Sequence, residues 1–489
     1  MMNNNPSTTE KLTFWQKLGY GLGDLYGGGS GTLISFYYLV FLTDVVALRP
    51  GLAGIVILVS KIYDSITDPL EGVLSDRTRT RLGRRRPYLL AGVLLIFLSF
   101  FALFYPVSFQ SEAGRFAFVM AAYLFFSTVV SIVMLNYNAL QAELSLDYNE
   151  RTSLTSFRIF FSTVSSILCA LLPLEIVKAF PDVRTGWSVM AAAFGLFFAL
   201  PFIATVAATR ERPEFQRPPS KFDWKQAFIQ PFRVRTFVYI LIMYVTAFVA
   251  FDATSSIVVY YVKNYLGRGS EVNYVVGGLL VAQVISLPFY QWLSRRTSKP
   301  KSYMIGASLF VVIMFFSFLI TPKAPAFALY AFAALVGIGS GGVVLMVYAI
   351  FPDIPDVDEL QSRERREGIY AALTTFMRKV SSAFAVFAVS QVLELAGYLP
   401  PVLQGGKLIE QPQTASFLLA LRLVFVFLPV AFISFGIFFA ARFPLQPGVY
   451  QRLGNLLAAR RRGDPESPES QAEAERLKNL LIGSSGGFR

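Results

Sequence analysis

The chain has 489 residues, 54% of them hydrophobic and only 15% charged, and a mean hydropathy of +0.52; a soluble protein carries nearer a quarter charged residues, so a water-soluble body is excluded. Its formal charge of +13 raises nucleic-acid binding, which the placement of the charges excludes below. There is no histidine and one cysteine, Cys169, so an intrachain disulfide is impossible and proton chemistry falls to carboxylates, tyrosines and amines.

The opening stretch, MMNNNPSTTEKLTFWQKLG, is polar and lacks the basic start, short apolar core and small-residue cleavage site of a secretory signal. The first apolar run is therefore expected to remain in the protein. Runs of about 20 residues, each long enough to cross ~30 Å of hydrocarbon as a helix, then repeat to the end of the chain. Twelve spans are predicted, at 18–44, 51–75, 88–108, 114–142, 154–178, 186–208, 236–263, 270–294, 302–321, 325–350, 367–396 and 415–441. The fold class is an all-α integral membrane protein of two six-helix halves. They occupy 1–208 and 236–443, joined by a cytoplasmic linker at 209–235 and followed by a cytoplasmic tail at 444–489.

Most of the 44 Lys and Arg residues fall in the loops and termini of one side. The opposite side receives Arg49, Arg115, Lys178, Arg184, Lys263, Arg268, Lys323 and Lys407. This positive-inside asymmetry predicts both termini in the cytoplasm and a cell (inner) membrane location, and it makes the basic charge a topology signal rather than a nucleic-acid footprint.

The second run carries KIYDSITDP into the membrane. Asp64 and Asp68 lie one helical turn apart on one face, about 6 Å from each other. Two carboxylates in a low-dielectric site cannot both stay ionised cheaply without a cation or a shared proton. With Thr67 between them they offer hard oxygen ligands suited to an alkali ion. The plainer reading makes them counter-ions of Lys61. After this helix comes GVLSDRTRTRLGRRRP, residues 72 to 87, where Gly72, Asp76, Arg77, Gly83, Arg84 and Arg85 make a candidate gating loop, in which Asp76 at the helix end can pair with arginines in one state and release them in another; the plainer reading is an Arg-rich loop that only sets topology.

PLEGVLSDRT (69–78) aligns without gaps to PFYQWLSRRT (288–297), each ending the second helix of a half, as parallel repeats of transporters do. Asp64 and Asp68 have no acidic equivalents at that offset, so the pair belongs to the first half alone. The linker, TRERPEFQRPPSKFDWKQAFIQPFRVR, is read with a short amphipathic helix around Lys221 to Phe228. The tail is read as partly unstructured, with a short helical pattern at its end.

The Gly-x-x-x-Asp-Arg…Gly-Arg-Arg loop resembles that of the major facilitator superfamily. KLGYGLGDLYGG, FLTDVV, KIYDSITDP, NALQAELSLDYNERTSLTSFR, FPDIPDVDELQSRERREGIY and TTFMRKVSSAFAVF, in order over nearly the whole chain, are similar to the glycoside-pentoside-hexuronide:cation symporters. The resemblance implies a cation site made of Asp64, Thr67, Asp68 and Ser131, with Na⁺, H⁺ or Li⁺ as the coupling ion and no other cofactor. It implies Lys379 as a partner of the acidic site or of the substrate, with Thr375 beside it, and Arg158 as an arginine near the sugar. Tyr26, Asn136, Asn138 and Gln141 are candidates for further hydrogen bonds, and polar helix–helix contacts explain each as well.

Two departures count against an α-galactoside held as in the family's best-known sugar carrier. Gly28 stands where that carrier has a sugar-binding aspartate, and Met134 and Asn138 stand for an aspartate and a tryptophan. Asp252, in the seventh run, is a replacement contact, and the glycines of GDLYGGGSG permit either close helix approach or a wider pocket.

The reading is a cation-coupled symporter for a sugar or glycoside, working as a monomer among membrane lipids, not an enzyme and not a nucleic-acid binder. A lysolipid or other amphiphile carrier is the alternative, which the 47 phenylalanines favour. A membrane-embedded transferase needs an acidic cluster at the membrane surface; FPDIPDVDE (351–359) is the one candidate, and it is read instead as part of the family's loop.

Overall fold

A computed structural model describes residues 11–145, 148–211, 230–362, 367–462 and 467–483. Among them, eleven helices are long and apolar enough to cross a membrane. The predicted first span is the exception, because it is built in pieces. Thr13 and Gln16 form a capping box that starts α1 (Phe14–Leu22), and α2 (Asp24–Leu33) follows after Gly23. The chain then runs through two five-residue π-helical segments, Ile34–Tyr38 and Phe41–Val45, local widenings that often mark functional stretches.

Several of the remaining helices start where the sequence supplies a cap or a proline. Pro50 occupies the first turn of α3 (Pro50–Arg77) and Pro87 that of α4 (Arg86–Leu103). Ser111 caps α5 (Glu112–Leu144) by accepting from Gly114 N. After α6 (Tyr148–Lys178), Asp182 caps α7 (Val183–Ala199). Pro201, which has no N–H to donate, separates α7 from α8 (Pro201–Ala208), and the two together make one span.

Next come α9 (Arg235–Tyr260), α10 (Val272–Arg296), α11 (Lys299–Phe316), α12 (Ala326–Ile350), the short α13 (Ile354–Ser362), α14 (Glu367–Leu395), α15 (Ala415–Ala441), α16 (Pro447–Arg462) and α17 (Pro468–Leu481). A small hairpin, β1 (Val402–Gln404) with β2 (Lys407–Ile409), precedes α15. The predicted amphipathic helix around Lys221 to Phe228 lies outside the described residues.

The chain divides into two compact units, the first formed by Met1–Ser220 with Leu393–Phe417 and the second by Lys221–Val392 with Leu418–Arg489. The hairpin segment thus groups with the first unit, against its sequence order. There Tyr398 donates to Asp44 Oδ1 at 2.7 Å, and the Glu394 carboxylate accepts from Gly51 N in the first turn of α3.

In unit 1, α2 packs on α6, α3 on α5, and α4 on α5 and α7. The glycines of α2 serve close approach: a Cβ on Gly28 or Gly29 would lie 2.2 Å from Ser162 Oγ or 2.1 Å from Ser165 Oγ, both on α6. The wider pocket at these positions is therefore not what forms.

In unit 2 the tail carries the helix read at its end and, as a correction to the sequence reading, a second one before it, α16. Its two helices bury Leu453, Leu457, Leu477 and Leu481, so apolar spacing inside a polar stretch is enough to fold it once a surface is there to cover. That surface is FPDIPDVDE. Tyr450 donates to Asp356 at 3.2 Å, Arg461 pairs with Glu359, and Arg460 donates to Leu360 O at 3.3 Å. At the far end Thr236 donates to Leu481 O at 2.7 Å and Arg235 N to Ile482 O at 3.2 Å, tying the tail to the start of α9. Leu453→Ala and Leu481→Ala are expected to cost about 2–5 kcal/mol each, as buried leucines do, whereas Arg461→Ala, in a half-exposed pair, costs at most about 1 kcal/mol. Thermal unfolding of purified protein checks the order; an Arg461 effect as large as the leucine effects would refute it.

Candidate functional site

Residues Asp64, Thr67 and Asp68 stand on α3, and Ser131 faces them from α5. Asp64 is completely buried and ion-paired with Lys61 at 3.2 Å. The Lys61 ammonium also lies 5.8 Å from the Tyr123 ring centre. Ser131 donates its hydroxyl proton to Asp68 Oδ1. Thr67 donates to the carbonyl of Tyr63 at 3.1 Å, leaving its oxygen lone pairs as acceptors, and the Tyr63 hydroxyl meets Thr128 Oγ1 at 3.0 Å.

The helical turn therefore carries two carboxylates flanked by hydroxyls and one amine. Apart from the amine, the set consists of hard oxygen donors, which fits an alkali ion or a proton. Among the described residues no three His, Cys, Asp or Glu side chains come together as a site for other metals.

A second cluster gathers around Arg158 on α6. Its guanidinium donates to Gln141 Oε1 at 2.5 Å and Asn138 Oδ1 at 2.6 Å, both on α5, and lies 3.4 Å from both oxygens of Asp24. It also sits 4.8 Å from the centre of the Tyr137 ring, which stacks on Tyr20 at 4.7 Å. Gly27 leaves the room this needs, since a Cβ there would be 2.6 Å from Asp24 Oδ1 and 2.7 Å from Met134 Cε.

Asp24 was not among the sequence candidates, although it stands one turn before Gly28 and the spacing of four was there to be read. The carboxylate missing at Gly28 is thus present one turn earlier. Tyr26 does not join the cluster: it is buried among Phe126, Phe198 and Phe202, and its hydroxyl has no hydrogen-bond partner among the described residues. Asn136 turns to Ser75 and to Ile132 O.

In unit 2, Asp252 on α9 holds Arg378 on α14 in a two-pronged ion pair, at 2.5 and 3.0 Å. Asp252, read from the sequence as a replacement contact for the solute, thus has an arginine partner that the sequence did not indicate. Thr375 is exposed on α14 with its hydroxyl on Ala371 O at 3.0 Å, and Lys379, part-exposed, follows Arg378.

Of the gating loop, the side chains of Gly72, Asp76 and Arg77 lie outside the described residues, so the expected Asp76 pairing does too. The rest is tight. Gly83 adopts φ 108° in a turn closed by paired hydrogen bonds with Thr80, a conformation that glycine allows. Arg84 and Arg85 each bond Glu143 Oε1 at 2.7 Å. Glu211 accepts the backbone N–H groups of Arg84, Arg85 and Arg86 at 2.6–2.8 Å, an anion on the N-terminus of α4. Glu143 and Glu211 were missed because both are distant in sequence from the loop they hold.

Long apolar helices grouped in two units, with ionisable residues buried at membrane depth, define a multi-pass membrane transporter rather than an enzyme. The chain belongs to the family described as MFS/sugar transport protein, which matches residues 19–447, as the resemblance to glycoside-pentoside-hexuronide:cation symporters implied. It is 28% identical to an uncharacterized symporter of Synechocystis sp., over 94% of this chain and 99% of that protein. It is 22% identical to a sodium-dependent lysophosphatidylcholine symporter of Gallus gallus, over 96% and 94%, and 26% identical to a putative glycoside/cation symporter of Escherichia coli, over 79% and 84%.

Proposed function

We propose that the protein is a cation-coupled symporter for a sugar or glycoside, with Asp64, Thr67, Asp68 and Ser131 handling Na⁺, H⁺ or Li⁺, and the Asp24–Arg158 cluster handling the solute. The observation that carries the solute reading is this cluster. A carboxylate acceptor, a guanidinium fork and two amides sit together beside stacked tyrosines, a set that matches hydroxyl groups on a ring with an apolar face. Lys61 holds Asp64 where a cation would stand, which supports an acid pair that exchanges one positive charge for another. Lys379 and Thr375 belong to coupling in this reading. The charge asymmetry supports an inner-membrane location with cytoplasmic termini, and the chain works as a monomer.

Uptake into vesicles containing the purified protein tests it, with a panel of glycosides, pentosides, uronides and lysophosphatidylcholine, each with and without a sodium or proton gradient. Gradient-driven accumulation of a glycoside or pentoside is expected. Accumulation of the lysolipid alone would replace this reading with the amphiphile carrier.

A further inference from the structure

Unit 2 repeats the layout of the Arg158 cluster with unrelated residues. In unit 1 the acid comes from the first span (Asp24), the arginine from the fifth (Arg158), and the guanidinium lies 4.8 Å from an aromatic ring centre. In unit 2 the acid again comes from the first span (Asp252 on α9) and the arginine from the fifth (Arg378 on α14), with the guanidinium 4.3 Å from the centre of the Phe248 ring. The acid pair Asp64–Asp68, by contrast, has no acidic equivalents in the second half. What the two units share is therefore separate from what serves the ion.

The pair in unit 2 is built for more than burying charge. Asp252 is nearly inaccessible, 5% exposed, whereas the Arg378 side chain keeps 29% of its surface. A guanidinium has five N–H donors, and Asp252 takes two of the N–H groups of Arg378 through separate oxygens. Donors thus remain on the guanidinium, which is the more exposed member of the pair. Beside them stands an aromatic wall whose accessible member is the half-exposed Tyr348, 5.9 Å from the buried Phe248, which is itself 4.6 Å from the buried Tyr244, centre to centre.

Charge selects among solutes. With Asp252 at 2.5 Å the arginine is already neutralised, so an anionic solute gains little attraction and meets a like charge. An apolar chain would leave the remaining guanidinium donors unmet. A neutral polyhydroxylated ring satisfies both the polar pair and the aromatic wall.

We propose that Asp252, Arg378, Phe248 and Tyr348 form a solute subsite in unit 2 that takes neutral polyhydroxylated rings and disfavours their carboxylate analogues. This rests on the sugar-symporter reading above. The test is calorimetry on the purified full-length chain with melibiose, methyl β-xyloside, methyl β-glucoside and methyl β-glucuronide. It compares the native protein, Asp252→Asn, Arg378→Gln and the swapped double variant Asp252→Arg with Arg378→Asp.

The native chain is expected to bind at least one neutral glycoside, and the glucoside at least as tightly as the glucuronide. Each single variant is expected to weaken that binding by about tenfold or more, as a site built for hydroxyls does when its polar partners are left unpaired. The swapped pair should recover the thermal stability lost by the singles and still fail to recover affinity. Affinity regained together with stability, or unchanged in folded single variants, overturns the subsite alone and makes the pair structural. Tighter binding of the glucuronide overturns the neutral class. If the native chain binds none of the neutral glycosides, the sugar-symporter reading falls and the subsite falls with it.

Discussion

Asp68→Asn is expected to remove the dependence of solute affinity on sodium and on pH and to abolish accumulation, while solute exchange without a gradient survives. Coupling between two ligands is a free energy shared by both sites, usually about 5- to 150-fold in affinity, and it must be reciprocal. In the native protein the ion should tighten the solute by the same factor that the solute tightens the ion; in the variant both factors should fall to one. The structure makes Asp68 the cleaner choice of the two acids. Asp68 accepts from the neutral Ser131 hydroxyl, and an amide in its place keeps the Lys61–Asp64 ion pair intact.

Asp64→Asn is expected to give the same loss of coupling with an added loss of stability, because Lys61 would then stay charged without its counter-ion at 3.2 Å. Breaking a buried pair on one side costs about 3–5 kcal/mol. Paired calorimetry of ion and solute, each with the other present and absent, reads both variants. Ion binding that stays at the native level in both would leave the pair as a structural partner of Lys61.

Arg158→Gln is expected to lower solute affinity by about a hundredfold, the loss of two charge-assisted hydrogen bonds at about 1.5–3 kcal/mol each being partly offset by water. The guanidinium ties Asp24, Asn138 and Gln141 into one set, so its removal disorganises every group proposed to meet the solute. Arg158→Lys keeps the charge but not the planar fork and should bind nearly as poorly. Asp24→Asn with Arg158→Gln removes both charges, restores the fold where the single variant suffers, and should still not bind. Native affinity in Arg158→Lys would show that the arginine supplies charge only, and native affinity in Arg158→Gln would remove the cluster from the solute site.

Several of these residues were readable from sequence and several were not, and distance along the chain separates them. Asp64 and Asp68 share a helical face by their spacing of four, so their proximity follows from helix geometry alone. Arg158 meets Asp24 across 134 positions and Arg378 meets Asp252 across 126, and no local periodicity records such a meeting. The partner of Arg378 was not legible for the same reason: a rotation of about 100° from Lys379 says nothing of which neighbouring helix lies there. Helix α16 of the tail was not expected because its polar residues were weighed without the surface of α13 against which it packs.

What the sequence determined by itself was the membrane fold, to within a few residues at most helix ends. Hydrocarbon thickness demands about 20 apolar residues per crossing, and that demand is written locally in every span. Capping residues and prolines, also local, then place the starts of α3, α4, α5 and α7. Tertiary structure decided which polar groups face one another. It put Asp24 rather than Gly28 beside Arg158, spent the glycines of α2 on packing against α6, gave Asp252 its arginine, and set Glu143 and Glu211 on the loop before α4. A polar side chain inside a membrane protein must find its partner wherever the packed helices bring one, and that choice belongs to the packing, not to any one segment.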